Sequence, residues 1–212
     1  IVGAGGFGRE IAWLIEDINS YKPEWSILGF VDDNTDMIGK VINGYPVLGN
    51  VDWLANQSLD VAIAVGDPRT KRKIVQRLSN SSNTFPNLIH PTAIISSRVE
   101  LGMGNIICAG NIITVNIVIR NFVIINLDCT IGHDAILNNY VTVLPSVNVS
   151  GGVILSECVS VGTGSAIIQG LQIGENTIIG AGATVVKELP ANCVAVGSPA
   201  KPIRFFEGDE NR

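Results

Sequence analysis

Aliphatic residues recur at every sixth position through the second half of the chain. All 17 positions are Ile, Leu or Val: Ile89, Ile95, Leu101, Ile107, Ile113, Ile119, Ile125, Ile131, Leu137, Val143, Val149, Leu155, Val161, Ile167, Ile173, Ile179 and Val185. This period is typical of a parallel β-helix of hexapeptide repeats, in which three hexads form one triangular coil and the aliphatic side chain points inward. At about 4.8 Å per coil, just under six coils make a stack roughly 27 Å tall. A β-sandwich with irregular turns would not keep this period.

Glycine often follows the repeat residue, where we expect the chain to bend tightly. The positions are Gly102, Gly132, Gly162, Gly174 and Gly180. Only seven charged residues occur between Ile89 and Val185. An elongated column with so few charges has apolar flanks, so we expect other copies of the chain to cover them.

Residues 1–86 show a different pattern, in which strand-like and helix-like segments alternate. The apolar residues that follow an early glycine-rich turn are spaced for one buried helix face. They are Ile11, Leu14, Ile15 and Ile18. Strands are predicted over residues 27–31 and 61–65, and a second helix over residues 69–78. This alternation predicts a small Rossmann-like parallel sheet, so the expected fold is an α/β domain followed by an all-β column.

Composition and charge exclude several classes of function. With 14 Lys and Arg against 19 Asp and Glu, the net charge is −5, whereas proteins that neutralise nucleic-acid phosphates need a basic face. Mean hydropathy is +0.35, but no apolar run approaches the length of a membrane span. The cysteines lack CxxC spacing, so they are interpreted as buried residues of a reducing compartment. No signal segment is visible, and we expect a cytoplasmic protein.

Four segments, together with the hexads, resemble one enzyme family. They are Gly3-Ala4-Gly5-Gly6-Phe7-Gly8-Arg9-Glu10, Asp32-Asp33, Asn126 with Gly132-His133-Asp134, and Gly197-Ser198-Pro199-Ala200-Lys201. The chain resembles, over nearly its whole length, the sugar acetyltransferases that include sialic acid O-acetyltransferases and N-acetyltransferases of nucleotide-linked 4-amino-4,6-dideoxysugars. The resemblance implies a left-handed β-helix, acetyl-CoA as cosubstrate, and a homotrimer with active sites between subunits.

Pattern and resemblance together divide the chain into three parts. Residues 1–86 are expected to form a Rossmann-like domain that binds a nucleotide sugar. Residues 87–188 are expected to form the left-handed β-helix that carries the acyltransferase site, and residues 189–212 a C-terminal cap and tail. Because Ile1 already lies inside an apolar strand, we expect earlier residues of that strand to precede it.

The chain contains only two histidines, which narrows the choice of a general base. His133 follows the inward Ile131 by two residues and adjoins Gly132, so its ring is expected at an accessible coil edge. Asp134 comes next, and a carboxylate beside a ring nitrogen orients the imidazole and raises its basicity. The resemblance implies these catalytic roles too, although the best-matching amino-sugar enzymes carry Glu in place of Asp134. His90 is interpreted as a polar junction residue.

The resemblance implies an acetyl-CoA groove between neighbouring subunits, along the coils after the base. The matching positions are Thr142, Gly151, Thr163 and Ala181. The backbone N–H of Gly151 is a candidate donor to the thioester oxygen, whereas Thr142 replaces a His found in some relatives. Direct attack is the preferred route, and an acyl-enzyme on Cys129 or Cys158 is the alternative.

The glycine turn fits a dinucleotide fingerprint, in which backbone amides at a helix N-terminus hold phosphate. About 86 residues are too few for both halves of a dinucleotide fold, so a nucleotide-sugar diphosphate is the expected ligand. The resemblance implies that the site is lined by Gly5, Gly6, Phe7, Asp32, Asp33 and Gly66, with Asn126 near the sugar amine. Phe7 replaces a His that is common in relatives.

Two enzyme hypotheses follow, and they share the base, the groove and the fold. The preferred one is N-acetylation of a UDP-, dTDP- or GDP-linked 4-amino-4,6-dideoxysugar for polysaccharide or O-antigen biosynthesis. The second is O-acetylation of sialic acid or a related sugar. The alternatives are a β-helix scaffold, a carbonic-anhydrase-like metal trimer, and an NAD-dependent sugar reductase. The metal trimer needs about three histidines per site, so no metal is expected, and the reductase lacks its second nucleotide-binding half.

Overall fold

The computed structural model describes residues 1–206, and residues 207–212 of the predicted C-terminal segment lie outside the described residues. The helices are α1 Gly6–Tyr21 and α2 Pro68–Arg77, with 3₁₀ helices at Thr35–Met37 and Val51–Asn56. The strands are β1 Phe30–Val31, β2 Val41–Ile42, β3 Tyr45–Gly49, β4 Leu88–Ile89, β5 Ile94–Ile95, β6 Glu100–Leu101, β7 Ile106–Ile107, β8 Ile112–Ile113, β9 Val118–Ile119, β10 Ile124–Ile125, β11 Thr130–Ile131, β12 Ile136–Leu137, β13 Thr142–Val143, β14 Asn148–Val149, β15 Ile154–Leu155, β16 Ser160–Val161, β17 Ala166–Ile167, β18 Gln172–Ile173, β19 Ile178–Ile179, β20 Thr184–Val185, β21 Cys193–Val196 and β22 Lys201–Phe205.

The first part of the chain is a small, mainly parallel sheet with helices packed on it. Val2 forms parallel bridges with Ile63 and Val31, and β1 continues the sheet by pairing in parallel with β3. Helix α1 buries the apolar face that its spacing predicts. Helix α2 begins at Pro68, where the missing N–H costs nothing, and Asp67 caps it. The antiparallel pair β2–β3 was not expected from the sequence.

The second part is the expected column of hexads. Each of the repeat residues is the second residue of a two-residue strand, from β4 to β20. Strands that lie three hexads apart pair in parallel, so that Ile107, Ile125 and Val143 stack in consecutive coils. From Ile107 to Val185 every repeat side chain is buried. The prediction of a parallel β-helix is therefore confirmed.

The column has three faces, which we name by their strands. Face 1 contains β4, β7, β10, β13, β16, β19, β21 and β22, face 2 contains β5, β8, β11, β14, β17 and β20, and face 3 contains β6, β9, β12, β15 and β18. The turns between faces 1 and 2 form the 1–2 corner, and those between faces 2 and 3 form the 2–3 corner.

The chain turns at a different position of the hexad from the one expected. Every sixth residue from Gly104 to Gly182 has a positive φ, without a gap in the series. Gly132, which directly follows a repeat residue, is not among them, but a Cβ there would lie only 2.6 Å from the backbone nitrogen of Gly151. The expectation of a tight bend at that glycine was therefore wrong, because close approach of the next coil is what excludes a side chain.

Face 1 carries the α/β part of the molecule. Its outward residues Leu88, Ile106 and Ile124 pack against the apolar face of α1. Helix α2 contributes Lys71, which is fully buried and whose Nζ donates to Thr142 Oγ1 at 3.0 Å. Burial in these apolar surroundings lowers the pKa of Lys71 to about 7, because desolvation disfavours the ammonium form.

The end of the column is closed by the segment after β21. The Thr184 N–H donates to Gly197 O at 3.0 Å, and the Ala200 N–H donates to Thr184 O at 2.8 Å. These bonds satisfy backbone groups that would otherwise form an open sheet edge. The described part of the chain is compatible with divisions at residues 86/87 and 188/189, which we retain as a proposal.

Replacing Lys71 with Met tests the buried amine. Because Lys71 binds fewer protons folded than unfolded above pH 7, its contribution makes the free energy of unfolding rise with pH from about 7 towards 10.5. In Lys71→Met this slope should shrink, and stability near pH 6.5 should increase, since no buried charge is left. Urea unfolding between pH 6.5 and 8.5 measures both effects. The exposed Lys40→Met is the control, and an unchanged slope in Lys71→Met would contradict the assignment.

Candidate active site

His133 and Asp134 lie in the turn between β11 and β12, at the 2–3 corner. His133 Nδ1 is 2.8 Å from Asp134 Oδ2. A carboxylate only accepts hydrogen bonds, so the geometry assigns the proton to Nδ1 and leaves the Nε2 lone pair free. The contact with the His133 ring, together with a weaker one from Asn116, holds the pKa of Asp134 below its usual value. The His133 side chain is 67% exposed in the single chain.

The imidazole of His133 lies over Gly151 of the next coil. A Cβ at Gly151 would stand 2.5 Å from His133 Nε2 and 2.6 Å from Cε1, so any side chain there would displace the ring. Among residues 1–206, the Gly151 N–H has no hydrogen-bond partner, as an oxyanion donor requires. The contact with the ring was missed from the sequence, although Gly151 follows His133 by three hexads, which is one full coil.

Three further predicted residues lie at the other end of face 2. Asn126 is buried in the turn after β10 at the 1–2 corner, where its Oδ1 accepts the Leu127 N–H at 2.7 Å. Thr163 and Ala181 are exposed at the same corner, one coil apart. A single chain therefore separates these residues from His133 by the full width of a face.

Thr142 does not lie on an open groove. Its side chain is 1% exposed on face 1, where its hydroxyl accepts the hydrogen bond from Lys71 Nζ. Helix α2 covers this position, so the structure does not support the predicted contact of Thr142 with acetyl-CoA. The sequence pattern places Thr142 on the outside of the column, but it does not show that another domain covers that side.

The glycine turn leads directly into α1. Gly5 is the N-cap, and no side chain caps the helix, so the backbone amides of Gly6 and Phe7 are available to an anion. A Cβ at Gly8 would lie 1.9 Å from Gly3 O, which shows how closely helix and strand approach there. Phe7 is half-buried and packs in the cluster that joins α1 to face 1.

The predicted aspartates end the strand that neighbours the glycine turn. Asp32 Oδ2 accepts the Ala4 N–H at 2.8 Å, so this carboxylate supports the turn. Asp33 Oδ2 accepts from Arg77 at 2.6 Å, and this contact lowers the pKa of Asp33. Gly66 follows the next strand-like segment, and these groups share the carboxyl edge of the sheet, where ligands of such folds bind.

The two candidate cysteine nucleophiles and His90 occupy positions that fit a structural role. Cys129 and Cys158 are buried, and burial raises the pKa of each thiol to about 11, which leaves little nucleophilic thiolate. His90 Nε2 is 2.9 Å from Asp17 Oδ2, so it joins α1 to the first coil as a junction residue.

Within residues 1–206 no three His, Cys, Asp or Glu side chains converge on a metal-sized site. None of the helices described has the length and apolar character needed to cross a bilayer.

Comparisons with known proteins identify the family. The PglD N-terminal domain family matches residues 1–78. PerB from Caulobacter crescentus, solved with CoA and GDP-perosamine, is 31% identical over 95% of this chain and 94% of its own, with a TM-score of 0.86. The acetyltransferase domain of PglB from Neisseria gonorrhoeae, solved with acetyl coenzyme A, is 31% identical over 95% and 97%, with a TM-score of 0.84. WeeI from Acinetobacter baumannii is 30% identical over 95% and 97%, with a TM-score of 0.83.

The chain belongs to the hexapeptide-repeat sugar N-acetyltransferase family. No curated protein sequence matches it. Membership confirms the prediction of an acyltransferase and of a left-handed β-helix behind a small α/β domain. The roles of the individual site residues stay predictions. Asp134 and Gly151 contact the His133 ring, whereas Asn126, Thr163 and Ala181 lie at the other corner of face 2.

Gly151→Ala should lower the activity of this N-acetyltransferase family member by about a hundredfold, because a misplacement of about 1 Å has an effect of that order. The added methyl group would push His133 off Gly151 and away from Asp134. Steady-state kinetics and thermal unfolding measure the effects on rate and stability. In a His133→Ala background the same methyl group meets no ring, so its effect on the melting temperature should vanish. Full activity in Gly151→Ala would contradict the contact.

Proposed function

We propose that this protein transfers the acetyl group of acetyl-CoA to the amino group of a nucleotide-linked 4-amino-4,6-dideoxysugar. The observation that carries the proposal is the 2.8 Å contact between His133 Nδ1 and Asp134, which leaves Nε2 accessible as a base. The relatives support an amine acceptor, since one of the matched enzymes is a perosamine N-acetyltransferase bound to CoA and GDP-perosamine.

The chain's own residues account for the proton transfers. His133 Nε2 takes a proton from the sugar amine as its nitrogen attacks the thioester carbonyl, and Asp134 stabilises the resulting imidazolium. The Gly151 N–H lies in the same corner and is proposed to donate to the oxygen that gains charge. The carbon–sulfur bond then breaks, and the imidazolium returns the proton to the departing thiolate. The high thiol pKa values of Cys129 and Cys158 favour this direct route.

The α/β domain is proposed to hold the nucleotide end of the acceptor. The uncapped N-terminus of α1 at Gly5 and Gly6 offers amides to the diphosphate, and Phe7 lies in its first turn. Asp33 and Gly66 at the same sheet edge are proposed to face the nucleoside, whereas Asp32 supports the glycine turn.

The active site is proposed to form between subunits of a homotrimer. General-base chemistry benefits when water is excluded, but His133 is 67% exposed in one chain. The 1–2 corner of a second copy would bring Asn126, Thr163 and Ala181 to the exposed ring, and these residues then line the acetyl-CoA groove and the sugar pocket. Face 2 has apolar side chains to bury in such an assembly, including Ile94 at 65% and Ile112 at 44% exposure.

The substrates also indicate a compartment. Acetyl-CoA and nucleotide sugars are cytoplasmic metabolites, and the four cysteines are free and buried, as expected in a reducing environment. We therefore propose that the enzyme is cytoplasmic. Its proposed acceptor, a nucleotide-linked 4-amino-4,6-dideoxysugar, points to surface-polysaccharide synthesis, including that of O-antigen.

His133→Ala should lower kcat/KM by at least about a thousandfold, within the range for loss of a general base, and should leave folding intact. Purified enzyme is given acetyl-CoA with UDP-, dTDP- and GDP-linked 4-amino-4,6-dideoxysugars and, separately, sialic acids, and thiol release and product mass are followed. Ser97→Ala, at the same corner two coils earlier, is the matched control. Substantial activity in His133→Ala would remove that residue from its role, and turnover of sialic acids alone would replace the proposed acceptor.

Ile112→Glu should dissociate the trimer, because a charge placed inside an apolar interface is strongly unfavourable. Light scattering coupled to size exclusion should then report a monomer, and the acetyltransfer assay should detect little activity. Val41→Glu introduces the same charge at an exposed position of the α/β domain and should leave the trimer assembled. A wild-type protein that is monomeric and active would reject the shared site.

A further inference from the structure

Asp134 has a second polar partner in the preceding coil. Asn116 Nδ2 donates to Asp134 Oδ1 at 3.4 Å, while Asp134 Oδ2 accepts from His133 Nδ1 at 2.8 Å. The two carboxylate oxygens are therefore bound by different neighbours, and a chain of hydrogen bonds runs from Asn116 to the imidazole.

The backbone of the 2–3 corner creates this arrangement. Asn116 and Asp134 are three hexads apart and occupy the left-handed position of consecutive coils, with φ of 56° and 60°. Asn and Asp adopt this conformation more readily than most residues. Their side chains consequently leave the corner in parallel, one coil apart, and the amide of one meets the carboxylate of the other.

A constraint on Asp134 matters because its carboxylate is exposed. Its side chain is 59% accessible to solvent, and an exposed carboxylate bound on one side only exchanges readily with water. The amide of Asn116 occupies one oxygen and so biases the other towards Nδ1. This contact is the second cause that lowers the pKa of Asp134, after His133 itself.

We propose that Asn116 is a positioning residue, which aligns Asp134 so that His133 presents Nε2 to the acceptor. The role of the aligned base rests on the proposed function, but the alignment itself can be tested without turnover. Within residues 1–206, Asp134 is the charged group in contact with the His133 ring. Gly151 of the next coil, which carries no charge, lies under that ring.

Two substitutions of Asn116 should change His133 in opposite directions. Asn116→Gly deletes the amide and keeps the left-handed turn without strain, so Asp134 loses its anchor and stabilises the imidazolium less. Asn116→Asp also deletes the donor, but it adds a negative charge near the ring, and this charge favours the imidazolium. The matched control is Asn176→Gly, since Asn176 has the same φ of 56° and bonds Asn192 at 3.0 Å, far from the active site.

The decisive measurement is an NMR titration of the imidazole signals, because the chain has only two histidines and His133→Ala assigns them. The His133 signals should respond to the two Asn116 substitutions in opposite directions along the titration, with no change in Asn176→Gly. Midpoints that stay at the wild-type value in both Asn116 variants, or that move equally in the control, would overturn the proposal.

Kinetics supply the second readout. In Asn116→Gly, kcat should fall about two- to fivefold, as for loss of one exposed hydrogen bond, with KM for both substrates unchanged. The acid limb of the rate profile should move in the same direction as the NMR midpoint. If no acceptor is turned over by the wild type, the proposed function fails, while the NMR titration still decides the role of Asn116.

Discussion

Backbone hydrogen bonds between residues about one coil apart determine where the functional groups of the column lie. The Gly132 N–H donates to Val149 O at 2.8 Å, and the Gly152 N–H donates to His133 O at 2.7 Å. These bonds repeat around the column, and the inward aliphatic residues fill its interior. Since side chains three hexads apart are stacked, the neighbours of a catalytic residue are found one coil away. The pairs Asn116–Asp134 and His133–Gly151 both follow this rule.

The α/β domain divides the surface of the column into covered and open faces. It packs on face 1 through α1 and α2, and the buried Lys71 lies within that contact. Faces 2 and 3 stay available, and the corner between them carries the imidazole. The packing of the α/β domain on face 1 thus buries Thr142 and leaves His133 accessible, although both residues belong to the same repeating pattern.

Much of this architecture could be predicted from sequence, because a strict period has a single simple geometric meaning. The inward repeat residues are the clearest example. Helix α2 lies outside the repeats, but the spacing of its apolar residues predicted it over 69–78, and it is found at Pro68–Arg77. The pair β2–β3 escaped because its exposed positions are apolar. Burial alternates along β3, but Val41, Pro46 and Leu48 are exposed, so polar and apolar residues do not alternate in the sequence. The burial of Thr142 escaped because contacts between domains leave no local signature. Asn116 escaped because its importance depends on Asp134 and not on its own neighbours.

The regular coil height makes the column a molecular ruler. The closing turn at Gly197–Ala200 bonds to Thr184, three coils beyond the His133 strand, which at about 4.8 Å per coil is a distance of about 14 Å. Adding or removing a whole coil would change this length by one coil height and would keep every other residue at the corner where it now lies. A change of any other length must be accommodated in a loop at a corner, because otherwise the residues that follow it would move to a different face, so the reach along this edge changes in steps of whole coils.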